Sequence, residues 1–89
     1  MQLERWKKFS KGQQMGAIAA EIARAKTWQN QDQEKFLSAI ERGLELIDSS
    51  IDDDKWRGWR SMLFGLRNEL ANFYLNNSYK DINILYTAI

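Results

Sequence analysis

Apolar residues recur along this chain at the three- and four-residue steps that bring side chains onto one face of a helix. Met15, Ile18, Ile22 and Ala25 make the first stripe. Ser10 stands ahead of it, with Gln13 three positions on, a capping-box pattern in which each residue satisfies a backbone donor of the other. The spacing predicts a helix over 11–29, closing near Asn30. Gly12, Gly16, Ala17, Ala19, Ala20 and Ala23 give this helix a run of small residues that lets a neighbour approach closely. The second stripe is Phe36, Ile40, Leu44, Ile47 and Ile51, widened by Leu37 and Leu46, and predicts a helix over 32–51. Gly43 falls on its apolar face. Glycine inside a helix costs about 1 kcal/mol relative to alanine, which a close approach of the first helix would offset.

Asp52, Asp53 and Asp54 interrupt the pattern. One of them is expected to cap the next helix, and all three suit its positive end. Trp59, Leu63, Leu66, Leu70 and Phe73 then define the third stripe, widened by Trp56 and Tyr74. It predicts a helix over 54–75 with Trp59 in the core, ended by Asn76-Asn77. Leu3, Trp6 and Phe9 suggest one or two helical turns before the first helix. Ser78 with Asp81 reads as another capping box, and Ile82, Leu85, Tyr86 and Ile89 follow at helical spacing. Ile82, Ile84 and Tyr86 also alternate as a strand would, but a lone strand has nothing to pair with inside such a chain. The expectation is an all-α fold: one domain over 1–89, built as an antiparallel three-helix up-down-up bundle with short helical flanks.

Charge changes this picture more than composition does. The chain of 89 residues carries a formal net charge of +1. Divided by helix, residues 1–27 sum to +4, residues 28–54 to −6 and residues 55–89 to +3. A basic–acidic–basic order favours antiparallel pairing of each basic helix with the acidic one. It also leaves open a basic surface shared by the outer two. The longest apolar run, Gly16 to Ala20, is far shorter than the ~20 residues of a membrane span. Arg5, Lys7 and Lys8 lead into no apolar signal segment, so a cytoplasmic location without membrane attachment is expected.

The sequence has no His and no Cys. Cys/His zinc sites, disulfides and histidine-assisted nucleophiles are therefore excluded, and no cofactor is expected. Glu41, Glu45 and Asp48 share one side of the second helix and are weak candidates for a Mg²⁺ site, which takes oxygen ligands. A solvated face is the plainer account. The aspartate run fails as an EF-hand loop, because the sixth and twelfth positions counted from Asp48 are Asp53 and Trp59 instead of Gly and Glu. Arg57, Arg60, Phe64 and Arg67 lie together on the third helix, away from its core stripe. An aromatic residue among guanidiniums suits a protein partner or single-stranded nucleic acid, unless the C-terminal segment folds over it. Trp6, Trp28 and Trp56 fall near helix ends, where a ring can be buried while its N–H stays wet.

The segments Trp6…Phe9-Ser10, Gly16-Ala17-Ile18…Glu21-Ile22…Arg24-Ala25 and Ala39 through Asp48 resemble a set of small uncharacterised prokaryotic helical proteins of unknown function. The resemblance implies no activity and assigns no catalytic residue. It draws attention to Glu21, Arg24, Glu41 and Arg42 as a polar cluster, with a salt bridge between the first two long helices as its plain explanation. It also leads one to expect a polar tail where this chain has Ile89. The functional expectation is a non-enzymatic interaction or assembly module that contacts a second copy or a protein partner through Arg57, Arg60, Phe64 and Arg67. Two alternatives stay open: a nucleic-acid-binding protein using the basic faces of the first and third helices, and a Mg²⁺-dependent hydrolase at Glu41, Glu45 and Asp48.

Overall fold

The computed structural model of the chain describes residues 3–76 and 81–88. Five α-helices follow in order: α1 Leu3–Lys7, α2 Lys11–Trp28, α3 Gln33–Ile51, α4 Arg60–Asn76 and α5 Asn83–Ala88, with a 3₁₀ segment over Asp54–Trp59 ahead of α4. No strand occurs among the described residues, and α5 replaces the strand alternative. The fold is all-α, and its helices pack as in a bundle. None is long and apolar enough to cross a membrane, among the described residues.

The helix starts follow their local chemistry. Ser10 Oγ accepts the Gln13 N–H at 3.1 Å, and the Ser10 N–H returns to Gln13 Oε1 at 2.9 Å, the reciprocal pair expected from sequence. Asp32 caps α3 by accepting the Lys35 N–H at 3.1 Å. Asp53 is the aspartate that caps the 3₁₀ segment, through the Lys55 N–H at 3.1 Å. At α5, Asp81 Oδ1 accepts the Asn83 N–H at 2.9 Å. Ser78, Asn77 and Ile89 lie outside the described residues.

The third predicted helix is two pieces, and this overturns one core assignment. Trp59 is 54% exposed. Counting back from Leu63 at helical pitch places Trp59 on the core stripe only if the α-helix continues through it. It ends the 3₁₀ segment instead, where the tighter turn breaks the phase. Trp56 takes the buried position.

The core is Ile18, Ile22 and Ala25 of α2, Phe36, Ala39, Ile40 and Ile47 of α3, and Leu63, Leu66, Leu70 and Phe73 of α4, closed by Trp56, Ile82 and Leu85. Met15, Leu44 and Ile51 are only partly buried against it. Gln14, next to Met15, is fully buried in its stead. Gly43 answers to the outer helices together: a Cβ built there would meet Leu70 Cδ2 at 3.1 Å and Glu21 Cβ at 3.7 Å. The tightest neighbour is thus α4, with α2 second. At the C-terminal end, the Ile82 N–H donates to Gln29 Oε1 at 2.9 Å, fastening α5 to the end of α2.

Candidate functional site

The four residues singled out from sequence fall on two elements, Arg57 on the 3₁₀ segment and Arg60, Phe64 and Arg67 on α4. Phe64 is 49% exposed, so α5 does not fold over it. The three arginines are each engaged with an aspartate. Arg57 and Arg60 reach Asp54 Oδ1 at 3.9 and 3.7 Å, and Arg60 Nε also donates to the Ile51 carbonyl at 3.1 Å, satisfying a carbonyl at the end of α3. Arg67 Nε donates to Asp48 Oδ1 at 2.6 Å, joining α4 to α3. Exposed pairs of this kind contribute about 0–1 kcal/mol each. They add little to the stability of the fold.

The acidic residues of α3 are not gathered into one site. Glu41 accepts the Tyr74 hydroxyl at 2.7 Å, and Asp48 is held by Arg67. The Glu41 hydrogen bond and its charge, with a little desolvation, push the Tyr74 phenol above its ordinary value. Glu45 and Asp48, with Leu46 and Ser49, line a shallow hollow of about 240 Å³. No group of three acidic, His or Cys side chains among the described residues is placed to hold a metal ion.

Glu21 is the buried member of the polar cluster flagged by sequence. Its Oε2 accepts Arg42 Nε at 2.8 Å across the α2–α3 interface, and its Oε1 accepts Arg24 one turn along. Only 6% of its side chain is exposed, against 60% for Arg24 and 55% for Arg42. A carboxylate this buried requires such partners. Glu41 is not part of the cluster. Beside it a cleft of about 400 Å³ opens between α2 and α3, lined by Arg24, Trp28, Lys35, Ser38, Ala39 and Arg42. Lys35 Nζ lies 4.2 Å from the Trp28 ring centroid.

A second polar cluster, absent from the sequence reading, closes the opposite end of the bundle. Gln14 Nε2 donates to the Trp6 carbonyl at 2.8 Å and to Asp53 Oδ2 at 3.1 Å, while Gln14 Oε1 accepts the Trp56 indole N–H. Trp6 Nε1 donates to Ser50 Oγ at 3.1 Å, and that hydroxyl donates onward to the Leu46 carbonyl at 2.9 Å. Lys55 Nζ spans Asp53 Oδ2 at 2.5 Å and the Lys7 carbonyl at 2.9 Å. Both indole N–H groups are therefore bonded inside the protein, where sequence suggested wet helix ends. No buried side-chain donor or acceptor among the described residues lacks a partner. Burial alone would push the Asp53 carboxyl up. Hydrogen bonds from the Lys55 side chain, Gln14 and the Lys55 backbone, with the Lys55 charge, outweigh it and hold the carboxyl below its ordinary value. The sequence signal for this cluster was faint: Gln14 immediately precedes the apolar stripe, one turn from Ile18.

The chain matches no known protein family, no curated protein and no solved structure. The site has to be read from its own chemistry.

Proposed function

We propose that the protein is a non-enzymatic assembly module of the cytoplasm that joins a second copy of itself through Arg57, Arg60, Phe64 and Arg67. The observation that carries this reading is Phe64, half open to solvent on α4, the helix that also carries Arg60 and Arg67. Exposed aromatic and arginine side chains are the residues that anchor protein interfaces. The acidic edge of α3, Glu45 and Asp48 with their shallow hollow, runs beside this face. A two-fold arrangement sets the arginines of one copy against the acidic edge of the other, which makes the surface self-complementary. The absence of His and Cys removes imidazole and thiol groups from the chemistry open to the chain.

The underlying topology we propose is up-down-up. Trp28 meets Lys35 and Glu21 meets Arg42, so contacts run in opposite order along α2 and α3. Glu41 with Tyr74 and Asp48 with Arg67 do the same for α3 and α4. Membership among the small uncharacterised prokaryotic helical proteins is part of this reading and rests on the segments quoted above. Nucleic-acid binding through the basic faces of α2 and α4 is the alternative reading.

The test is solution mass by sedimentation across a concentration series, at low and high salt. A dimer that weakens with salt and becomes a monomer in Phe64→Asp is expected. A wild-type monomer at every concentration, or a dimer indifferent to Phe64→Asp, refutes the reading. Salt-sensitive oligonucleotide binding that survives Phe64→Asp would favour the nucleic-acid alternative.

A further inference from the structure

The cleft between α2 and α3 has an electrostatic character that neither the core nor the α4 face requires. Three of its six lining residues are cations, Arg24, Lys35 and Arg42, and none is a carboxylate. Glu21 lies beneath and offsets one of the three charges, which leaves the cleft positive. It also does something more specific. Each of its oxygens holds one nitrogen of a different guanidinium, Arg24 from within α2 and Arg42 from across the interface. One carboxylate thus fixes two planar forks at the rim of one cavity, and the rest of each fork is available for an anion. Pre-set guanidiniums avoid the ordering cost that free surface arginines incur when they bind.

The other walls fit the rest of a ligand. The Ser38 hydroxyl supplies a further donor or acceptor, and the half-buried Trp28 ring supplies an aromatic surface. Lys35 sits over that ring. A cation resting on an aromatic face is a weak attachment at an exposed position, worth about 0.5–1 kcal/mol. An anion between Arg24 and Arg42 draws the ammonium toward itself and uncovers the ring. The volume, about 400 Å³, is in the range of small-molecule sites.

We propose that this cleft binds a phosphate monoester carrying a flat ring, of mononucleotide size. The phosphate sits among Arg24, Arg42 and Lys35, and the ring stacks on Trp28. Glu21 is a positioning residue that does not touch the ligand. The site lies apart from the α4 face, so its occupancy is independent of self-association.

The experiment is calorimetric titration of the full chain at low salt with adenosine monophosphate, adenosine and inorganic phosphate, in wild type, Lys35→Ala, Arg42→Gln and Trp28→Leu. Circular dichroism and the urea midpoint of each variant report folding. The monophosphate is expected to bind best. Losing one charge-assisted contact weakens a ligand about tenfold or more. That drop is expected for adenosine and for Lys35→Ala, an exposed position that keeps the fold testable if Arg42→Gln does not. Trp28→Leu is expected to bring the monophosphate down to the affinity of phosphate alone. No binding at millimolar monophosphate overturns the proposal. So does equal binding of adenosine, equal binding of inorganic phosphate to wild type, or affinity unchanged in the folded Lys35→Ala variant.

Discussion

Replacing Gln14 by leucine tests whether the buried polar cluster holds the α1 end of the bundle together. Leucine is close to glutamine in size and prefers a helix, so backbone and packing change little. The polar consequences can be worked bond by bond. The Trp6 carbonyl loses Gln14 but keeps the Phe9 N–H at 3.1 Å. Asp53 loses one donor but keeps Lys55. The Trp56 indole N–H loses its acceptor at a residue only 4% exposed, so water cannot readily replace it. Stranding that donor costs about 1–3 kcal/mol, and the lost hydrogen bond to an ionised aspartate adds about 1.5–3 kcal/mol. Extra apolar burial returns about 1 kcal/mol. The expected net loss is about 1.5–5 kcal/mol, a large part of the roughly 4–13 kcal/mol available to a chain of this length. Urea titration followed by tryptophan fluorescence should show the midpoint falling by about 1 M or more, since small domains lose about 1–2 kcal/mol per molar urea. The Gln14→Leu/Trp56→Phe double variant removes the stranded donor. Its loss should fall short of the sum of the two single losses by at least about 1 kcal/mol. A Gln14→Leu loss under about 1 kcal/mol, or single effects that add to within about 0.5 kcal/mol, would refute the reasoning.

Gly16 and Gly65 are exposed helix positions at which a Cβ meets nothing within 4 Å. Alanine at either should raise stability by about 0.5–1 kcal/mol, whereas Gly43→Ala, crowded by buried Leu70, should gain less than either in the same denaturation assay. Asp53 has a folded-state pKa below the ordinary carboxylate value, so its charged form contributes stability that is fully present above that ordinary value. The contribution is lost as pH falls through the lowered folded value. Urea midpoints measured from neutral pH down into that acid range should decline less steeply in Asp53→Asn than in wild type, and parallel declines would count against the assignment.

How much of this was legible beforehand differs from element to element. The long helices declared themselves through repeated three- and four-residue apolar steps, and the capping box at Ser10 and Gln13 formed as written. Both depend on neighbours within one turn, so the chain needs no tertiary context to specify them. The Glu21–Arg42 pair was also within reach, because two long helices of opposite charge have few ways to align. Arg57, Arg60 and Arg67 were singled out from sequence as free to meet a partner, yet they are tied to Asp54 and Asp48. Arg57 with Asp54 is a local pair three residues apart, but Asp54 for Arg60 and Asp48 for Arg67 lie on neighbouring elements whose angle of approach no periodicity gives.

Local pattern by itself determined that this chain is helical and where α2 and α3 begin, and composition that histidine- and cysteine-based chemistry is closed to it. Tertiary structure decided what that pattern could not. Trp59 left the core because a 3₁₀ turn broke the phase that would have buried it. Gln14 entered because Trp6 and the Asp53–Trp56 turn, drawn from two distant stretches of chain, meet around it and satisfy its amide. Arg24, Lys35 and Arg42 face a common cleft because Gly43 admits close packing and Glu21 draws both guanidiniums to one carboxylate. Hydrophobic period follows from the geometry of a single helix. The pairing of buried polar groups follows from which helices meet, and that is settled only when the whole chain has folded.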